Sequence, residues 1–163
     1  MEFSRIPKLL EEFGDRGRLF WGHYQEAWQR LSEILPLPKE FFPLGIAIAI
    51  TESNLNPYAL GTASDKGYMQ VTPIAKLDVL EYYNLDFDLD DPVENVMCGL
   101  AYLLLLLQRY KIGVSGEGLD LKEIARAYNA GPSAKRDPER SLPYAQKVLG
   151  FLERLWEDPS WRE

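Results

Sequence analysis

The chain has 163 residues, of which 46% are hydrophobic and 26% charged, so it predicts one globular domain with a substantial core and excludes a disordered or collagen-like chain. The net charge of −7 argues against a nucleic-acid-binding protein, because phosphate contacts need clustered lysine and arginine. The single cysteine and single histidine, Cys98 and His23, exclude a His/Cys zinc site and an intrachain disulfide by count.

The first half of the chain predicts two helices followed by a loop. Apolar residues recur at steps of three and four between about residues 19 and 35, which is typical of an amphipathic helix. The next segment, 43–53, alternates Ile and Ala and fits either a strand or a buried helix. Its alanines and the first-turn position of Pro43 favour the helix. Residues 55–72 are rich in Asn, Gly, Ser and Pro and predict a loop, with a short hairpin around 64–67.

Four more helices are predicted, each from a capping residue or a proline at its start. Their expected ranges are 72–83, 91–110, 120–130 and 143–156. The second of these is apolar around most of its circumference and is therefore expected at the centre of the fold. Residues 113–118 predict a flexible link, and Pro143 is expected to open the last helix. Since no repeat or long linker divides the chain, we predict a single, mainly α domain over residues 1–163.

Glu52 lies where the second predicted helix ends and the polar loop begins. A carboxyl group beside apolar surroundings and near the negative end of a helix dipole has a raised pKa. A proton held near neutral pH is what a general acid requires. A glutamate that simply faces solvent at a helix end is the alternative, and for Glu52 taken alone it is the more common arrangement.

Glu52 is part of an ordered series of motifs along the chain. They are Glu52-Ser53 with Asn56-Pro57, then Gly67-Tyr68-Met69-Gln70, then Ala127-Tyr128-Asn129-Ala130-Gly131-Pro132, and finally Tyr144 within residues 143–149. This ordered set resembles the lysozyme-like soluble lytic transglycosylases, the relatives of goose-type lysozyme. The resemblance covers about residues 42–152. It implies a lysozyme-like helical core over that range, with a short loop or hairpin region beside a cleft. Residues 1–41 lie outside the resemblance, and we expect them to form an N-terminal helical extension packed on the core.

The resemblance also implies an activity and a set of site residues. The enzymes of this family cleave the β-1,4 bond between N-acetylmuramic acid and N-acetylglucosamine in peptidoglycan, and the expected route is non-hydrolytic, forming a 1,6-anhydro sugar. Glu52 matches the catalytic acid/base, and the Tyr128 hydroxyl is implied to lie near it. The residues implied to contact the sugars or to line the cleft are Ser53, Tyr68, Met69, Gln70, Tyr128, Asn129 and Tyr144.

The sequence leaves two alternative functions open. Asp65 is the nearby acid that could hold a water molecule, which would make the protein a lysozyme-type muramidase, since hydrolytic glycosidases need a second carboxylate. The structural interpretation of Asp65 is a turn residue. The second alternative is a catalytically idle module that binds the cell wall or builds a phage tail.

The remaining expectations concern ligands and location. We expect no cofactor and no metal, because the acidic segment 86–91 lacks the Gly and Glu that an EF-hand needs at its sixth and twelfth positions.

The first twenty residues lack the apolar core of a signal peptide, and the longest apolar run, 96–107, is shorter than the ~20 residues of a membrane span. We therefore expect synthesis in the cytoplasm and action on the wall as a bacteriophage lysis enzyme (an endolysin) or as part of a virion. A bacterial enzyme whose signal peptide has been removed is the alternative. The expected partner is the peptidoglycan strand, with no nucleic acid and no membrane span. The sequence does not give the oligomeric state, and a monomer is expected.

Overall fold

A computed structural model describes residues 5–133 and 137–162 of the chain. Its helices are α1 Lys8–Glu11, α2 Asp15–Ser32, α3 Phe41–Ser53, α4 Pro73–Tyr83, α5 Pro92–Gln108, α6 Leu121–Ala130 and α7 Pro138–Glu157, followed by a 3-10 turn, Ser160–Arg162. Two short strands, β1 Val114–Ser115 and β2 Gly118–Leu119, pair antiparallel. The predicted mainly α fold class is therefore confirmed.

Helix α5 lies at the centre of the fold, as its apolar pattern predicts. Residues 95–106 of this helix are all buried, and α2, α3, α4 and α6 pack around it. Its start follows the local signals, because the Asp91 carboxylate accepts hydrogen bonds from the backbone N–H groups of Val93 and Glu94, and Pro92 occupies the first turn. Among the described residues, no helix combines the length and the apolar character that crossing a bilayer requires.

Helix α3 is the element that carries Glu52, and it is buried from Phe41 to Ile50. It packs between α7 and α5, so both of its faces are covered. A helix covered on both sides needs no polar stripe, which explains why the Ile/Ala segment shows no helical periodicity in the sequence. The helix ends where Asn54 adopts a left-handed conformation with φ of 52°.

The N-terminal segment packs on the rest of the chain through an aromatic cluster. The ring of Phe42 contacts those of Trp21, Trp28 and Trp161 at centroid distances of 5.9, 5.0 and 5.8 Å. The Tyr24 hydroxyl donates a hydrogen bond to the Phe42 carbonyl oxygen at 2.6 Å. Helix α2 also packs along α5. The start of α3 is thus fixed by residues from both ends of the described chain.

Helix α2 spans Asp15–Ser32 and not the expected 19–35, and two further elements differ more clearly from the prediction. Helix α7 begins at Pro138 and not at Pro143, because Asp137 supplies the cap by accepting the Arg140 backbone N–H, and Pro143 lies inside the helix. The proline lacks the N–H that would bond to the Glu139 carbonyl, and both residues are exposed, so water can satisfy that carbonyl. Residues 113–118, predicted as a flexible link, instead form the β1–β2 hairpin.

Candidate active site

Glu52 lies in the last turn of α3, half-buried, with its carboxylate Oε2 2.8 Å from the Tyr144 hydroxyl, which donates a hydrogen bond to it. Burial raises the pKa of Glu52 to about 7. The Tyr144 hydrogen bond and the charge of Arg140 act in the opposite direction, whereas the nearby Asp65 carboxylate adds to the increase. At neutral pH this carboxyl group can therefore both give and take a proton.

Tyr144 reaches Glu52 from α7, the helix that packs along α3. Burial and the adjacent Glu52 charge hold the pKa of Tyr144 well above its ordinary value. The phenol consequently stays protonated near neutral pH and remains a hydrogen-bond donor to the carboxylate.

Tyr128 has a different partner from the one implied by the family resemblance. Its hydroxyl donates a 2.6 Å hydrogen bond to the Met69 carbonyl oxygen, so it ties α6 to the loop between α3 and α4. The Tyr128 hydroxyl still lies within electrostatic reach of Glu52, because burial and then the Glu52 charge raise the pKa of Tyr128. The direct hydrogen bond to Glu52 comes from Tyr144.

The loop residues predicted to contact sugar form the interior of the loop. Tyr68 and Met69 are fully buried; the Tyr68 hydroxyl lies 2.9 Å from His23 Nδ1, and the Met69 side chain packs against Gly99. The Gln70 amide donates 3.0 Å hydrogen bonds to the carbonyl oxygens of Ala59 and Gly67. These contacts give the three side chains a loop-holding role, and their contact with sugar remains a prediction.

Asn95, to which the sequence analysis assigned no role, anchors this loop to α5. It is fully buried, and its amide donates to the carbonyl oxygens of Lys66 at 2.9 Å and Leu89 at 3.1 Å and accepts the Met69 N–H at 3.0 Å. A Cβ at Gly67 would come within 2.3 Å of the Asn95 side chain, so glycine is required for this approach. The available signal was an amide side chain directly before the apolar run 96–107 of a helix expected at the centre of the fold.

Ser53 and Asp65 flank the candidate acid. The Ser53 hydroxyl donates to the Ala49 carbonyl oxygen at 3.0 Å, a bond within α3. The Asp65 carboxylate accepts the Ala63 N–H at 3.1 Å, and the Asp65 carbonyl oxygen accepts the Gly61 N–H at 2.8 Å. Asp65 thus occupies a turn, while its charge still acts on Glu52.

Asn129 and Arg140 lie at the meeting point of α6 and α7. The side-chain Oδ1 of Asn129 is buried and finds no donor among the described residues. An Arg140 guanidinium N–H donates to the Asn129 carbonyl oxygen at 2.9 Å. Arg140 was not among the predicted site residues. A buried acceptor without a donor is what a substrate N–H or hydroxyl group could satisfy.

A cofactor site is not evident in the described parts of the chain. Across residues 5–133 and 137–162, no three His, Cys, Asp or Glu side chains converge as metal ligands would. A cavity of about 590 Å³ lies between the β1–β2 region and α6, and its lining includes Tyr110, Asp120 and Glu123 but not Glu52 or Tyr144.

Comparison with known proteins identifies relatives. Residues 42–150 match the family model of the transglycosylase SLT domain. Membrane-bound lytic murein transglycosylase C of Haemophilus influenzae is 30% identical over 142 residues, covering 82% of this chain and 37% of that protein. The protein of the same name from Histophilus somni is 36% identical over 95 residues, covering 55% of this chain and 26% of that protein. The chain thus spans between a quarter and two fifths of the length of these relatives.

Two solved structures share the fold. The 70 kDa soluble lytic transglycosylase of Escherichia coli superposes with a TM-score of 0.59 at 18% identity, covering 91% of this chain and 32% of that one. An inactive mutant of the lytic transglycosylase Slt from Pseudomonas aeruginosa gives 0.56 at 20% identity, covering 68% and 20%. These similarities confirm the predicted lysozyme-like helical architecture.

The predicted location is wrong. We expected a cytoplasmic product that reaches the wall through phage lysis or as part of a virion, whereas the relatives are bacterial proteins named as membrane-bound. The expectation rested on the first twenty residues and on the length of the chain. Since the chain spans only part of its relatives, neither feature carries information about an export signal or an anchor.

Proposed function

The chain belongs to the transglycosylase SLT family, and on that premise we propose that it is a lytic transglycosylase that cleaves the β-1,4 bond between N-acetylmuramic acid and N-acetylglucosamine in peptidoglycan. One observation carries the proposal: Glu52 lies half-buried at the end of a buried helix, with a pKa of about 7 and a tyrosine hydroxyl 2.8 Å from its carboxylate. This is the protonation behaviour that an acid and base acting in turn requires.

The reaction proceeds in two proton transfers through Glu52. The protonated carboxyl group donates its proton to the glycosidic oxygen as the bond from that oxygen to C1 of the muramic acid breaks, and positive charge develops at C1. The substrate's own 2-acetamido group stabilises that charge. The 6-hydroxyl of the same sugar then attacks C1 and returns its proton to the Glu52 carboxylate. The product carries a 1,6-anhydro ring, and no water is consumed.

The groups around Glu52 can stabilise the charges that form on Glu52 and on the substrate during these two steps. The Tyr144 hydroxyl stabilises the carboxylate form of Glu52 after the first proton transfer. The Asn129 side-chain oxygen, which is buried and has no donor among residues 5–133 and 137–162, accepts a hydrogen bond from the substrate. Asp65 acts on Glu52 through its charge and is engaged in its own turn. A single carboxyl group therefore performs the chemistry, and one copy of the chain suffices.

We also propose the domain organisation that the sequence predicts: residues 42–152 form the transglycosylase core, and residues 1–41 form an extension. The packing of α2 along α5 and the aromatic contacts around Phe42 support it.

Digestion of purified peptidoglycan by the wild type and by Glu52→Gln tests the activity. The wild type is expected to release muropeptides with anhydro ends, which are one water lighter than reducing ends by mass spectrometry. Glu52→Gln should lose roughly a hundredfold or more of the release rate, the usual contribution of general acid–base catalysis.

Glu153→Gln, which removes the same charge from an exposed position on α7, is the matched control and should retain full activity. Equal release by wild type and Glu52→Gln would remove Glu52 from the catalytic role. Reducing ends in place of anhydro ends would identify a hydrolase, and no release by any form would favour an idle wall-binding module.

A further inference from the structure

Arg140 places a positive charge beside Glu52 in a chain that is acidic overall. It lies in the first turn of α7, four residues before Tyr144, so the two side chains share one face of the helix. Its guanidinium donates one hydrogen bond, to the Asn129 carbonyl oxygen at 2.9 Å. The Arg140 charge lowers the pKa of Glu52, which places the guanidinium within electrostatic reach of the carboxyl group.

The charge of Arg140 is not neutralised within the described structure. Two nearby basic side chains, one in the loop and one on helix α6, are paired: Lys66 lies 3.2 Å from the Asp90 carboxylate, and Arg126 lies 3.0 Å from that of Glu123. Across residues 5–133 and 137–162, no carboxylate lies within ion-pair distance of the Arg140 guanidinium.

The position of Arg140 does not serve the stability of its helix. The first turn of a helix lies at the positive end of the helix dipole, where a cation is disfavoured. The guanidinium carries five N–H donors in a planar fork, and the bond to Asn129 leaves others available to an oxyanion. A carboxylate is the partner that this fork binds most tightly among the groups of a glycan strand.

We propose that Arg140 binds an ionised carboxylate of the substrate next to the cleaved bond and makes the site selective for strands that carry one. The inference rests on the proposed function. The carboxylate has two sources. In a peptide-free strand it is the lactyl carboxylate of the muramic acid, whereas in a peptide-bearing strand the lactyl group is amide-linked and the ionised carboxylates lie on the peptide.

Isothermal titration calorimetry tests the contact between Arg140 and the substrate. Binding is measured to Glu52→Gln, a substitution that blocks turnover, and to the double variant that also carries Arg140→Gln. The probes are two matched pairs: a peptide-free oligomer against the same oligomer with its lactyl carboxyls converted to amides, and a peptide-bearing oligomer against its amidated form. A pH of about 5 keeps most of the substrate carboxylates ionised, and the Glu52→Gln background has no carboxyl group at position 52 whose titration could change binding. Arg154→Gln, which removes a charge from the far end of α7, is the control, and the melting temperature of each variant reports its folding.

Arg140→Gln is expected to weaken binding of one ionised probe by roughly tenfold, the size of one charge-assisted hydrogen bond, and to leave its amidated counterpart unchanged. Arg140→Lys, which keeps the charge but loses the fork, should lose less. The pair that shows the difference identifies the source of the carboxylate.

Equal losses on ionised and amidated probes would overturn the proposal and leave Arg140 a purely structural link to Asn129, and so would the absence of a loss on every probe. A failed proposal here is distinguishable from a failed function. In the first case the wild type still releases anhydro products, whereas in the second it releases none.

Discussion

The carboxyl group of Glu52 experiences opposing influences from its neighbours. Burial and the Asp65 charge favour its protonated form, whereas the Tyr144 hydrogen bond and the Arg140 charge favour the carboxylate. Because each neighbour acts with a known sign, single substitutions should move the titration of Glu52 in opposite directions.

The alkaline limb of the pH–rate profile should follow those signs. Activity should fall as the pH rises through about 7, because the first step needs protonated Glu52. Tyr144→Phe removes a donor to the carboxylate, so the limb should move to higher pH, with a lower maximal rate. Asp65→Asn removes a negative charge that raises the Glu52 pKa, so the limb should move to lower pH. The measurement is kcat/KM for a soluble muropeptide oligomer, taken across the pH range for the wild type and both variants.

Asp88→Asn, in an exposed loop, serves as the control for a lost acidic charge and should leave the limb in place. Movement of the limb in the same direction by Tyr144→Phe and Asp65→Asn would contradict the assignment of this limb to Glu52.

The sequence could locate Glu52 but not its partner. The boundary between an apolar helix and a polar loop marked Glu52 as a candidate, and the ordered motifs that follow it along the chain selected it. The choice between Tyr128 and Tyr144 as hydrogen-bond donor depends on how α6 and α7 cross α3, and no local pattern encodes that crossing. Arg140 was not predicted as a site residue, because it lies between the motif that ends at Pro132 and the segment 143–149 that contains Tyr144.

Helix boundaries were predicted well where one cap signal stood alone and poorly where two competed. Asp91-Pro92 and Asp120 open α5 and α6 as expected. The start of α7 was missed because both Pro138 and Pro143 fit a first turn, and the capping carboxylate of Asp137 decides between them. The β1–β2 hairpin was missed because it has only two residues in each strand.

At the scale of elements, Asn95 couples α5 to the loop that receives the Tyr128 hydroxyl. Asn95→Leu keeps a similar volume but removes the partners of the Leu89 carbonyl oxygen and the Met69 N–H, and it leaves the Lys66 carbonyl oxygen with the Val71 N–H alone. We expect a loss of about 2–4 kcal/mol in the free energy of unfolding, measured by urea denaturation, because buried groups lose their hydrogen bonds. Loss of the anchor should also displace Met69, whose carbonyl oxygen accepts the Tyr128 hydrogen bond. We therefore expect kcat to fall as well.

Thr72→Val provides the comparison for this prediction. It removes the N-cap bond to the Ala75 N–H at the other end of the same loop, which should cost about 1 kcal/mol and leave kcat close to that of the wild type. An Asn95→Leu protein with normal stability, or with normal kcat despite lower stability, would show that the loop does not depend on this anchor.

At the scale of the whole molecule, the fold holds α3 rigid from both ends of the described chain. Phe42, near the start of α3, stacks on Trp161, whose indole N–H donates to the Leu155 carbonyl oxygen at 2.8 Å. Near the other terminus, the Lys8 backbone N–H donates to the Asp158 carboxylate at 2.8 Å. Because α7 and α5 also cover α3, a shift that exposes Glu52 when its carboxyl group ionises would have to break this packing.

Such rigidity makes the ionisation of Glu52 a cost to the stability of the whole protein. The folded-state pKa of about 7 exceeds the ordinary value of 4.5, so between these two values the folded state binds more protons than the unfolded state. The stability contributed by protonated Glu52 is therefore complete below about pH 4.5 and is lost as the pH rises through about 7. At about 1.4 kcal/mol for each pKa unit, the loss is on the order of 3 kcal/mol.

Glu52→Gln should remove this pH dependence, because the neutral amide keeps the size of the side chain and an oxygen that can accept the Tyr144 hydrogen bond. We expect the variant and the wild type to have similar free energies of unfolding near pH 4.5 and the variant to be more stable by roughly 3 kcal/mol near pH 8. Urea denaturation at both pH values measures the difference, with Glu153→Gln correcting for the change in net charge. A difference between variant and wild type that stays constant with pH would contradict a buried, weakly acidic Glu52. A more stable but inactive variant would show that this fold sacrifices stability to keep a proton available at the site.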